Sequence, residues 1–109
     1  MFSSTQRVKR LQQVIEKDGS NQGAHFMLGE EYLREDAPMK AAAKFRRVIE
    51  LNPDHAVAWA MMGKAYTAAG VSKEAAVAFD HAARKFDLDG HPNDAEQMRQ
   101  AAEEARRNQ

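Results

Sequence analysis

The chain has 109 residues, 43% of them apolar and 29% charged, with 16 acids against 16 bases and no formal net charge. That length predicts one domain burying roughly 60–70% of its unfolded surface, and the balanced charge argues against a nucleic-acid partner, whose phosphates need a strong positive field. The absence of cysteine excludes disulfides, thiolate metal sites and cysteine nucleophiles. No unbroken apolar run is long enough for a membrane span and residues 1–10 lack the apolar stretch of a secretory signal, so a reducing cytoplasm is the expected setting.

In chain order, the first predicted helix covers 5–17, with Val8, Leu11, Val14 and Ile15 on one face and Arg7, Lys9, Arg10 and Lys17 largely off it. A turn cluster follows at Asp18-Gly19-Ser20-Asn21, where Ser20 or Asn21 can cap a second helix over 22–35. Asp36-Ala37-Pro38 is the next break, and Pro38 suits the first turn of a third helix over 38–51. Asn52-Pro53-Asp54 closes that helix: Asn52 tolerates a left-handed conformation, Pro53 blocks continuation, and Asp54 is placed to cap a fourth helix over 55–69. Gly70 and Ser72 are expected to repeat the stop and the cap before a fifth helix over 72–86. The longest break, Asp89 to Asn93, precedes a last helix over 94–107, whose Ala95, Met98, Ala101, Ala102 and Ala105 share one side. Apolar residues recur at three and four throughout and nowhere alternate, so the expected class is all-α.

Superposed on this pattern is a period of 34. Aligning 22–55 on 56–89 pairs seven identical residues: Ala24/Ala58, Met27/Met61, Gly29/Gly63, Tyr32/Tyr66, Ala41/Ala75, Ala42/Ala76 and Phe45/Phe79. All seven are small, apolar or aromatic, while charged positions disagree freely. Packing is therefore repeated and surface is not, as expected for a solenoid of helix pairs too small to bury their own faces.

On these residues the chain resembles the tetratricopeptide repeat family, whose 34-residue unit carries W-x2-L-G-x2-Y, then A-x3-F, then P. The second unit reads Trp59, Met62, Gly63, Tyr66, Ala75, Phe79 and Ala82. The first reads His25, Leu28, Gly29, Tyr32, Ala41, Phe45, Val48 and Pro53. His25 replaces the tryptophan, and Asp87 replaces the second unit's closing proline, which points to a fifth helix running on toward Leu88. The resemblance implies a superhelix of antiparallel helix pairs in a single 1–109 domain. Its parts are an N-terminal half-repeat at 5–21, repeats at 22–55 and 56–89, and a capping helix at 94–107.

The same resemblance implies a concave groove lined by the first helix of each unit, where a peptide or helix of another protein docks. By register its residues are Phe26, Glu30, Leu33 and Arg34 from the first unit, with Val57, Ala60, Met61, Lys64 and Thr67 from the second. For Phe26 and Met61 a second reading stands equally: packing against the terminal helices. One subgroup of the family clamps the C-terminal carboxylate of heat-shock chaperones with lysines and asparagines, but those positions are Phe26, Glu30 and Met61 here and none matches. A carboxylate would meet another at Glu30.

Catalytic and metal signals are absent from the sequence. His25, His55, His81 and His91 fall on different segments with no i, i+4 pair, and there is no phosphate loop, H-E-x-x-H or nucleophile elbow. The expectation is a non-enzymatic, cofactor-free cytoplasmic adaptor or chaperone-like module that binds another protein. The alternative is a self-associating module forming a homodimer or larger homo-oligomer, since two units plus flanking helices are near the minimum for a stable array.

Overall fold

The computed structural model describes all 109 residues as six helices: α1 (Ser4–Lys17), α2 (Gln22–Arg34), α3 (Pro38–Leu51), α4 (Ala56–Ala68), α5 (Ser72–Leu88) and α6 (Pro92–Arg107). Each helix packs on its neighbours in the chain, α1 on α2, α2 on α3 and so on to α5 on α6. The result is an all-α solenoid of stacked antiparallel helix pairs, 37 × 27 × 24 Å.

Close approach inside the two central pairs depends on two glycines. A Cβ at Gly29 would lie 2.7 Å from the Phe45 ring, and one at Gly63 would lie 2.7 Å from the Phe79 ring. Both rings are buried, Phe45 completely, so neither can give way. The core that forms around them is built largely from alanine, with Phe45, Val48, Ile49, Met62, Tyr66 and Phe79 filling the gaps. Small residues at the crossings bring the helices together, and the few large ones then pack at interior density.

Three helices end in the same way. Asp36, Gly70 and Gly90 take left-handed φ values of 58°, 76° and 77°. Behind each, two amide groups donate back to the helix, for example Val71 N to Tyr66 O at 2.9 Å and Gly70 N to Thr67 O at 3.0 Å. This is the Schellman arrangement, which satisfies carbonyls that the helix end would otherwise orphan.

Several expected ends are corrected. Asn52 is extended rather than left-handed, with φ −147° and ψ 87°, because Pro53 alone suffices to stop α3. The cap of α4 is not Asp54 but His55, whose Nδ1 accepts the Ala58 N–H at 3.0 Å; the Asp54 carboxylate instead reaches Lys85 at 2.9 Å. Ser72 is the first residue of α5 and Val71 stands at the cap without a side-chain hydrogen bond. The last helix starts at Pro92 rather than Asp94, since proline fits the first helical turn. As the missing proline at Asp87 implied, α5 runs on to Leu88.

Candidate protein-binding surface

Consecutive pairs are tied by a recurring polar contact. Gln12 on α1 donates to the Tyr32 hydroxyl at 3.4 Å. One period later, Arg46 on α3 donates to the Tyr66 hydroxyl. One period later again, Asp80 on α5 accepts from Arg106 on α6 at 2.9 Å. Residues 12, 46 and 80 are thus the same position, each reaching the helix of the next unit.

His25 reproduces the polar contact of the tryptophan whose position it takes. The Trp59 indole N–H donates to the carbonyl of Pro53, six residues earlier, at 2.9 Å. His25 is buried, and its Nε2 donates to the carbonyl of Gly19, also six residues earlier, at 2.9 Å. That assigns the ring proton to Nε2 and leaves Nδ1 buried with no partner. Trp59 also stacks on His81, ring centres 4.1 Å apart. Burial there, and then the nearby Arg84 and Lys85 charges, hold the His81 imidazole below its ordinary pKa. The four histidines stay dispersed, and no three His, Asp or Glu side chains converge as a metal cluster.

The nine expected groove residues do not meet in one cleft. Phe26 is half-buried, edge-on to Phe45 at 5.4 Å and stacked on His55 at 5.6 Å. Leu33 and Met61 likewise lean on the core and keep part of their surface in water. Glu30 and Arg34 line a cleft of about 270 Å³ between α1 and α2, with Arg7, Leu11 and Met27. Thr67 belongs to a smaller cleft of about 170 Å³ reached by Ala101 and Glu104 of α6. Val57, at 45% exposure, and Lys64 are open to solvent. Ala60 is only 6% exposed, because α3 and α5 flank α4 and a methyl group does not reach out between them.

Sequence reading passed over the most heavily bonded charge in the molecule. Glu31 is buried, at 5% exposure. Arg7 Nε and Arg34 Nη1 both donate to its Oε1 at 2.6 Å, and Ser4 Oγ donates to its Oε2 at 3.1 Å. The Arg7 hydrogen bond outweighs the cost of burial and holds the carboxyl below its ordinary value. A signal existed: in the 34-residue register Glu31 aligns with Ala65, a fully buried core residue. An acid at a packing position needs a partner, and Arg7 is one.

No protein-family model and no curated protein matches the chain. Solved structures do. A crystal structure of MamA superposes with a TM-score of 0.65 at 19% identity, covering 95% of this chain and 69% of that one. A second MamA crystal structure gives 0.60 at 20% identity, covering 90% and 61%. A structure described as MamA MSR-1 C2 gives 0.62 at 20%, covering 92% and 66%. The chain thus spans roughly two thirds of the length of these proteins. At such identities the likeness is one of fold, a helical-repeat solenoid.

Proposed function

We infer that this chain is a protein–protein interaction module, adaptor or chaperone-like, that takes a peptide or helix of a partner protein along the face of α2 and α4. One observation carries this reading. That face keeps Val57 exposed beside half-buried Phe26, Leu33 and Met61, and its edge charges Glu30 and Lys64 have no ion-pair partner in the chain, whereas Arg7, Arg34, Arg99 and Arg106 all do. An apolar strip with unspent charges of both signs suits a peptide that supplies side chains to both. The reading assigns the protein no catalytic role and no cofactor. It places the protein in the cytoplasm, a setting compatible with the absence of any helix long and apolar enough to cross a membrane.

The test is partner recovery with Val57→Asp combined with Lys64→Glu, both at exposed positions. The folded double variant is expected to lose the parent's partners. Retention of all of them overturns the assignment to this face. Self-association, the rival reading, predicts a mass that rises with concentration in sedimentation; a monomer over the whole range removes it.

A further inference from the structure

The caps of α2 and α4 stand at the same position of the 34-residue register and are chemically unlike. Asn21 caps α2, its Oδ1 accepting the Ala24 N–H at 2.9 Å. His55 caps α4, its Nδ1 accepting the Ala58 N–H at 3.0 Å. The backbone is nearly identical at the two, with φ −74° and ψ 98° at Asn21 against φ −75° and ψ 92° at His55. Only the side chains differ. An amide oxygen does not titrate, whereas an imidazole nitrogen accepts only while the ring is neutral. An imidazolium has two donors and no acceptor, whichever way the ring is turned. The same ring also stacks on Phe26, with centres 5.6 Å apart. The turn that it caps carries Val57, the exposed apolar residue of the α2–α4 face.

We propose that His55 is a proton-sensitive cap: neutral, it fixes the first turn of α4 and with it the Val57 edge of the α2–α4 face; protonated, it releases both. Two costs fall on the protonated form. The Ala58 N–H loses its acceptor, and a full positive charge stands at the positive end of the helix dipole. The charged groups on each side do not offset this. From α2 the ring meets Phe26, and Glu30 stands one turn further along that helix. The last turn of α3 carries Glu50, which pairs with Arg47. Asp54, next to the ring in sequence, is taken by Lys85 of α5 at 2.9 Å. His81 of α5 lies against Trp59 with its Nδ1 accepting from Arg84 at 3.2 Å. None of these carboxylates pairs with the His55 ring. The release is a property of the chain alone, and only its effect on binding rests on the function proposed above.

The experiment therefore needs no partner, so its failure and that of the binding reading are distinct. Imidazole and amide resonances of the 109-residue chain are followed from about pH 8 to about pH 5, the range in which imidazoles change charge. The Ala58 amide is expected to shift with the same midpoint as the His55 ring. Its protection against exchange, corrected for the intrinsic pH dependence, should fall about fivefold, the loss expected of an N-cap. His55→Asn copies the cap of α2 onto the same backbone, so it should keep the helical circular dichroism and leave Ala58 insensitive to pH. His81→Asn, which removes the neighbouring imidazole, should leave the Ala58 response in place. The proposal is overturned by a His55 ring that stays neutral throughout, or by one that titrates while Ala58 stays still. An Ala58 response that survives His55→Asn or disappears with His81→Asn overturns it as well.

Discussion

Both ends of the solenoid carry ion pairs, but only the C-terminal one also buries apolar residues completely. At the C-terminal end α6 buries Ala95, Ala102 and Ala105 against α5, and the remaining surface of the helix is almost wholly polar. At the N-terminal end α1 buries nothing completely and is held to α2 by Ser4, Arg7 and the buried Glu31. Apolar packing is short-ranged and insensitive to pH, so α6 shares the cooperative core. A charge cluster with both guanidiniums largely in water holds position while contributing less net stability. One end is therefore packed into the core and the other is a tethered helix with no completely buried residue. Between the first two helix pairs the difference is an acid for an alanine at one register position, Glu31 against the fully buried Ala65.

The largest effect that separates the two ends belongs to α6. Ala102 is completely buried, so Ala102→Leu overpacks the α5–α6 contact by about 1–3 kcal/mol. In a domain of this size that lowers Tm by about 4–8 °C per kcal/mol, and the whole chain should melt as one. Glu31→Ala comes next. It is expected to weaken α1 docking by about 1–2 kcal/mol, the low part of the range for charged hydrogen bonds because the arginines remain hydrated. The signature is local: amide exchange in α1 speeds up while α3 to α6 keep their protection. If Glu31→Ala instead exposes all six helices together, α1 belongs to the core and the contrast between the ends fails.

Acid provides the same contrast without mutation. The carboxyl of Glu31 lies below its ordinary value of 4.5 in the folded chain, chiefly because Arg7 donates to it. A lowered folded value means the stabilisation is complete above the unfolded value and is lost as pH falls through the folded one. Exchange protection of α1 should thus decline below about pH 4.5 before that of α6, which rests on buried alanines that do not titrate and whose ion pairs to Asp80 and Asp87 are solvent-exposed and add little. Simultaneous loss at both ends would show that other carboxylates dominate the acid response.

How much of this was legible beforehand follows from what repeats. Gly29 with Phe45 and Gly63 with Phe79 recur because backbone approach admits few alternatives, so their spacing carries the fold directly. Helix ends were less legible. A stop can be made by Pro53 alone or by a left-handed Asp36, and a cap by the His55 ring, so several residue types serve one purpose and local chemistry does not choose among them. The surface was least legible. The family resemblance supplied the nine groove positions, but whether Phe26 reaches solvent depends on Phe45 of α3 and on His55 at the cap of α4. Glu31 escaped notice for a related reason, since its partner Arg7 is 24 residues away and only the stacking of α1 on α2 brings them together.

The smallest predicted effect concerns the aromatic position that differs between the central pairs. His25→Phe removes the hydrogen bond to Gly19 O, a loss of about 0.5–1.5 kcal/mol, but it also removes a buried, unpartnered Nδ1 whose desolvation costs about 1–3 kcal/mol. The two nearly cancel, so the variant should unfold within about 1 kcal/mol of the parent. Trp59→Phe loses the equivalent bond to Pro53 O and shrinks the stack on His81, with no orphaned atom to offset the loss. Denaturant titration of both variants should therefore rank Trp59→Phe as the more damaging. The opposite order would mean that His25 Nδ1 finds a partner in solution, a bridging water being the simplest, and that the N-terminal side is tied down more firmly than the Glu31 cluster alone accounts for.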